Sequence, residues 1–242
     1  MAKQGRADLK RTPFPGPGRL SPPPPAGEIG DLRFRTLIGE AAWARLPEAV
    51  RARFGKRISA TASAVYVGEI VECRISRAGW LLAQAARLIG GPLPLGRDIF
   101  VPARVSVTED AASGGQLWTR IYGRARGDAQ VIGSCKSFSG PTGLEERIGG
   151  GFGIALRVEV EDGALHFISD HYFLTIGRLC FRLPRWLSPG ALRVSHVDCN
   201  HGLFAFVMTL THPWFGALIR QTAMFGEAGA KESEGASWTL PA

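Results

Sequence analysis

Trp118, Arg120 and Tyr122 stand at alternate positions, so on a β-strand all three side chains project from one face. Aromatic, guanidinium, aromatic is a set that could grip an anionic head group, because arginine both stacks on rings and forms paired hydrogen bonds to oxyanions. The same trio is also what a cross-strand ladder on a half-exposed sheet requires, and the ladder is the commoner outcome. Arg182 and Trp186, flanking Pro184, and Trp214 with Arg220 offer the same chemistry. If the chain has a pocket, these seven residues are its expected ligand-binding set.

Other spacings point away from catalysis. His196 and Asp198 share a strand face and His201 follows, yet a metal site needs further ligands, and Asp198, Asn200 and Gly202 are turn formers. Asp170 and His171 are adjacent, so in a regular strand they point to opposite faces and the acid cannot orient the base. Ser134 and Ser139 lie outside any Gly-x-Ser-x-Gly elbow. Gly149–Gly153 lacks the third glycine and the following helix of a dinucleotide loop, and reads as a tight turn or bulge. No catalytic residue, metal ligand or cofactor is assigned. The enzyme alternative is a cofactor-free isomerase or hydrolase with His166, His171 or His212 as base beside an arginine.

Charge is concentrated at the start. The chain of 242 residues carries a formal +8. Lys3, Arg6, Lys10, Arg11 and Arg19 against Asp8 put +4 of that into residues 1–20. No basic-aromatic module follows, so nucleic acid is not an expected partner. The tail is expected to give at most a weak, salt-sensitive contact with anionic membrane. Cys73, Cys135, Cys180 and Cys199 are widely spaced and no apolar signal segment leads the chain, so a cytoplasmic location is expected. Trp80–Ile89 is too short to span a bilayer, and Gly202–Ile219 is broken by Thr209, Thr211, His212 and Pro213.

The elements that must carry these residues follow from periodicity. Residues 1–30 are a proline-rich basic tail, 31–226 a single folded domain and 227–242 a flexible tail. Two helices open the domain, one from Asp31 with Phe34 and Ile38 on a stripe, one from Pro47 with Val50 and Phe54 four apart. A short apolar helix occupies 79–89 and ends at Gly90-Gly91-Pro92. Strands are expected at 71–75, 100–108, 116–123, 129–138, 144–148, 152–161, 164–175, 179–183, 192–199 and 203–211. Their short joints force antiparallel neighbours. The predicted fold is mainly β: a large curved antiparallel meander, half-barrel or barrel-like, with two N-terminal helices and one inserted apolar helix.

Trp43–Arg51, Arg77–Leu95, Trp118–Gly123, Gly143–Phe167, Arg178–Pro189 and His212–Phe225 together resemble the bacterial domain of unknown function 4166 family, in order and spacing. The resemblance carries no activity. Similar domains occur behind short-chain or saccharopine-type reductase domains, which implies an accessory or ligand-binding part in redox or lipid metabolism. The expected function is therefore non-enzymatic binding of an apolar or amphipathic small molecule, with a separately encoded reductase as a further candidate partner.

Overall fold

The computed structural model describes residues 30–58, 63–110 and 113–228; of the two tails expected from the sequence, all but Gly30, Glu227 and Ala228 lie outside them. The strands run in chain order as β1 (Ser63–Ile75), β2 (Val101–Asp110), β3 (Gly115–Tyr122), β4 (Gln130–Ser137), β5 (Glu145–Gly149), β6 (Phe152–Glu161), β7 (Ala164–Ile176), β8 (Leu179–Arg182), β9 (Ala191–Asp198), β10 (Phe204–His212) and β11 (Gly216–Glu227). Each pairs antiparallel with its neighbour in the chain, except that β9 skips β8 to join β7. β11 returns to β1, with Ile75 opposite Ile219 and Tyr66 opposite Glu227. The result is a closed barrel of 10 strands, with β8 as an outer strand on the upper half of β7.

Closure corrects the half-barrel expectation. It depends on two segments that the sequence leaves open: β1 begins eight residues before Val71, and β11 occupies the close of the chain's apolar stretch. Gly68 sits where the seam is tightest, since a Cβ there would lie 1.7 Å from the Met224 carbonyl oxygen. Two-residue turns with positive φ at both positions join β5 to β6 at Gly150-Gly151 and β6 to β7 at Asp162-Gly163. Such turns match the right-handed twist of the strands they connect. The glycine run is thus a hairpin turn.

Alternation divides the wall. Val105, Ile132, Ile154 and Phe167 are buried inside, while Arg104, Arg157 and Glu159 are exposed outside. A membrane-spanning barrel has the opposite arrangement. Among the described residues no helix is long and apolar enough to cross a membrane.

The barrel ends differ. At the lower end, three short helices replace the two expected: α1 (Arg33–Ile38), α2 (Glu40–Ala44) and α3 (Glu48–Phe54). The helix expected from Asp31 breaks just after Ile38 at Gly39, whose φ of 79° no helix accommodates. α1 and α3 deliver Phe34 and Phe54 edge to face at 5.2 Å, with Phe138 at 5.0 Å from Phe34, and stopper the barrel. Arg53 ties α3 to Asp198 at 3.3 Å, and Arg33 donates to the Gly114 carbonyl. At the upper end, α4 (Arg77–Ala85) continues as a 3₁₀ turn to Ile89, close to the span predicted. Ser76 caps α4 by accepting from the Gly79 amide. Gly79 lets the helix lie against β11, because a Cβ there would meet the Leu218 carbonyl oxygen at 2.2 Å.

Candidate functional site

A barrel of eight strands is just wide enough for its own side chains to fill, and additional strands leave space. Here the lumen keeps a cavity of about 150 Å³. Its wall is mostly apolar: Val105, Ile132, Ile154, Leu156, Phe206 and Met208 are among the lining residues. Pro92, Leu93, Pro94 and Pro189, from connections at the upper end, line it too and mark the mouth.

The loop at that mouth is fastened by one side chain. Gln130, first residue of β4, donates from Nε2 to the carbonyls of Gly91 at 2.9 Å and Leu93 at 2.8 Å. Its Oε1 accepts from the Leu95 amide at 3.3 Å. Both ends of the amide thus hold the segment that covers the opening.

Deeper in the lumen lies a charged cluster. β3 turns Trp118, Arg120 and Tyr122 inward, β4 turns Ile132, Ser134 and Lys136 inward, and β5 supplies Glu146. Arg120 donates to Glu146 Oε1 at 2.9 Å and to Ser134 Oγ at 3.2 Å, and Ser134 donates to the same carboxylate oxygen at 2.6 Å. Lys136 Nζ stands 2.8 Å from the other oxygen, Oε2, and 4.7 Å from the centre of the Trp118 ring. Burial pulls the Lys136 ammonium down to about 8, with Glu146 working against the fall. Burial also opposes the Glu146 carboxylate, but Lys136 and Arg120 outweigh it and hold Glu146 well below the usual range. Burial raises both lumen tyrosines, Tyr122 and Tyr172, the latter to about 12.

The charge does not balance. Arg120 and Lys136 against Glu146 leave one positive charge, and among the described residues no other lining residue is a carboxylate. Removing an ion from water costs several kcal/mol unless it is matched, so an apolar lumen with a surplus cation favours an anionic occupant. The carboxylate beside the Ser134 hydroxyl is held by Arg120 and Lys136 well below the usual range, which makes Glu146 a weak base, and the arrangement can bind and orient an anion.

Below Trp118 and Phe206 a second cavity of about 30 Å³ reaches the stopper, lined by Tyr66, Gln116 and His196 among others. The His196 ring stacks on Phe204 at 4.7 Å and meets Phe54 edge-on at 5.1 Å. Neither ring nitrogen has a hydrogen-bond partner among the described residues. Burial, with Arg53 nearby, lowers its pKa to about 3, so the imidazole is neutral.

The seven predicted site residues divide. Trp118, Arg120 and Tyr122 all line the lumen, in place of the half-exposed ladder. Arg182, Trp186, Trp214 and Arg220 do not: Trp186 and Trp214 are 68% and 72% exposed at the upper end, and Arg220 pairs with Glu72 at 3.0 Å on the outer wall. Lys136, Ser134 and Glu146 are missed by the sequence reading. The signal for the first two was their alternation with Ile132, opposite Trp118 and its neighbours; β5 is too short to reveal which way Glu146 points.

The histidines lie elsewhere. His166 faces outward against Ser195 at 2.7 Å, and His212 Nδ1 accepts from the Trp214 amide at 3.2 Å. His171 does bond Asp170, at 2.7 Å, against expectation. The register of β6 and β7 slips there, Ala155 facing His171 and Leu156 facing Ser169, so Asp170 is an extra, bulged residue. A bulge breaks alternation and lets consecutive side chains share a face. None of the three histidines lines the upper cavity. Asp198 is engaged by Arg53, and no group of three or more His, Cys, Asp or Glu side chains that could hold a metal occurs among the described residues.

The model of the domain of unknown function DUF4166 matches residues 46–225, most of the chain, and the protein belongs to that family. The match spans every strand of the barrel except the last two residues of β11. No curated protein and no solved structure matches the chain.

Proposed function

We propose that this DUF4166 protein binds one amphipathic small molecule with an anionic head group inside its barrel. The observation that carries the reading is the surplus positive charge of Arg120 and Lys136, buried in an otherwise apolar cavity. The cluster sits part-way down the lumen, with Leu93, Met208 and Leu210 among the apolar lining. A ligand enters head first, its acidic group meets Arg120 and Lys136, and its chain lies against that lining. Binding of this kind needs a preformed, mostly apolar cavity with few, well-placed polar groups.

A hydrolase or isomerase would need a general base at the cavity, within hydrogen-bond reach of a substrate. His166, His171 and His212 are off the lumen wall, and the one lining carboxylate among the described residues, Glu146, is held below the usual range by Arg120 and Lys136, which favours binding over acid–base work. The test is native mass spectrometry of the purified full chain. An anionic amphiphile retained at one per protein, and lost from an Arg120→Ala/Lys136→Met variant, supports the proposal. A ligand-free protein that takes up no added long-chain carboxylate contradicts it.

A further inference from the structure

The upper end of the barrel is unlike the rest of its surface. Among the described residues sixteen large hydrophobics are exposed, and twelve of them lie on the upper connections or the β7–β8 hairpin. Single exposed hydrophobics are ordinary, but their collection at one end is not. Trp80 and Leu88 come from the α4 segment, Phe100 from the approach to β2, Trp186 from the turn before β9, and Trp214 and Phe215 from the β10–β11 turn. At the stoppered lower end, among the described residues, α1, α2 and α3 expose no large hydrophobic residue, and Leu32, just before α1, is exposed.

Charge follows the same division. The upper segments 76–100, 123–129, 177–190 and 213–215 contain eight arginines against Asp98 and Asp128, a net of +6. All eight are exposed, and among the described residues only Arg182 meets a carboxylate, Asp170 at 3.8 Å. At the lower end most arginines are paired, Arg33 with Asp31, Arg35 with Glu40, Arg53 with Asp198 and Arg57 with Glu109, while Arg45 and Arg51 meet no carboxylate among the described residues.

We propose that the upper rim is a docking face for an anionic lipid bilayer, with the barrel mouth turned toward the membrane. Tryptophan favours the layer between head groups and acyl chains, where its ring is apolar and its N–H remains wet. Exposed aromatics insert while the arginines meet lipid phosphates, the combination by which peripheral proteins hold anionic membranes. A second copy is a poor occupant, because a two-fold contact would press one +6 face against another. Arginine beside tryptophan also marks protein interfaces, so a protein partner is an outcome for the test below, in which vesicles and this chain are the only components. The proposal extends the lumen reading, because cargo would pass directly between bilayer and cavity, but it rests on different residues.

The test is co-sedimentation of the full chain with phosphatidylcholine vesicles, with and without about one third phosphatidylglycerol, at physiological salt where the Debye length is about 8 Å. Binding is expected to need the anionic lipid and to shift tryptophan emission to shorter wavelength. A Trp186→Ser/Trp214→Ser variant should bind those vesicles at least about tenfold more weakly, and Arg178→Glu/Arg185→Glu should do the same. Residues 1–20 are common to all these proteins, so a basic tail acting alone would leave the two variants at wild-type affinity and would overturn the proposal. Equal binding to neutral vesicles would also overturn it. So would a rim-dependent dimer in light scattering that the tryptophan variant abolishes. Fluorescent fatty-acid titration of the same variants without vesicles separates the two readings. In the variants, unchanged lumen binding beside lost vesicle binding is the expected result; in the wild-type protein, fatty-acid binding without vesicle binding removes the docking face alone, and vesicle binding without fatty-acid binding removes the lumen ligand alone.

Discussion

Lys136 and Glu146 are directly opposed across the β4–β5 ladder, and their side chains close to 2.8 Å inside the lumen. Two buried ions hold each other in place, and Arg120 on the neighbouring strand adds a third. The cluster therefore has two distinct consequences, one for folding and one for ligand charge.

For folding, Glu146 is indispensable to its partners. Glu146→Gln leaves Arg120 and Lys136 as two buried like charges, and breaking a buried pair in this way costs about 3–5 kcal/mol. Lys136→Met removes the surplus cation and fills similar volume, so it should be neutral or slightly stabilising. Urea denaturation of both variants checks this order. A Lys136→Met protein less stable than Glu146→Gln would contradict it.

His196 makes stability depend on pH. Its folded pKa, about 3, lies below the ordinary 6.5, so between those values the unfolded chain binds the extra proton. Stability is complete above 6.5 and falls as the pH drops toward 3, by up to about 1.4 kcal/mol per pH unit. Glu146 adds its own loss once the pH falls below the usual carboxylate range, so the window from 6.5 to 4.5 isolates the histidine. His196→Leu should flatten that window, and at neutral pH should cost little because two unpartnered buried nitrogens are removed. Thermal melts across the window measure both effects.

Gln130 is a fastening of the mouth. Gln130→Ala removes three hydrogen bonds to the 91–95 segment at a cost of about 1–3 kcal/mol. Ligand dissociation should accelerate more than equilibrium affinity weakens, since the lumen contacts remain. Stopped-flow displacement of a fluorescent fatty acid reads the rate.

The stopper should be costly to lose. Phe34 is 1% exposed and packs against Phe54, Phe138 and Phe167. Phe34→Ala should destabilise by about 3–5 kcal/mol. A loss under about 1 kcal/mol would show that the helices are not part of the cooperative fold.

Much of this architecture was legible because alternation is a local property. The strands from 100 to 211 are predicted close to their positions, and the shared face of Trp118, Arg120 and Tyr122 follows from spacing alone. Whether that face looked into a lumen or onto solvent did not, because it depends on closure between residues more than a hundred positions apart. β11 was missed because its alternation dissolves: Leu218 and Ile219 are consecutive and both buried, as are Gln221, Thr222 and Ala223. The Asp170 bulge was equally hidden, since a one-residue register slip leaves no compositional trace. Trp186 and Trp214 show the reverse error, where side chains chemically suited to a pocket stand on the rim.

The most direct test of the lumen's role is a fluorescence titration of delipidated full-length protein with a long-chain carboxylate and with the alcohol of equal length. Saturable one-to-one binding is expected, with the carboxylate favoured at least about tenfold, a difference of about 1.4 kcal/mol. Arg120→Ala/Lys136→Met should erase that preference while retaining the weaker apolar binding. Equal affinity for acid and alcohol in the wild-type protein, or no saturable binding of either, would contradict it.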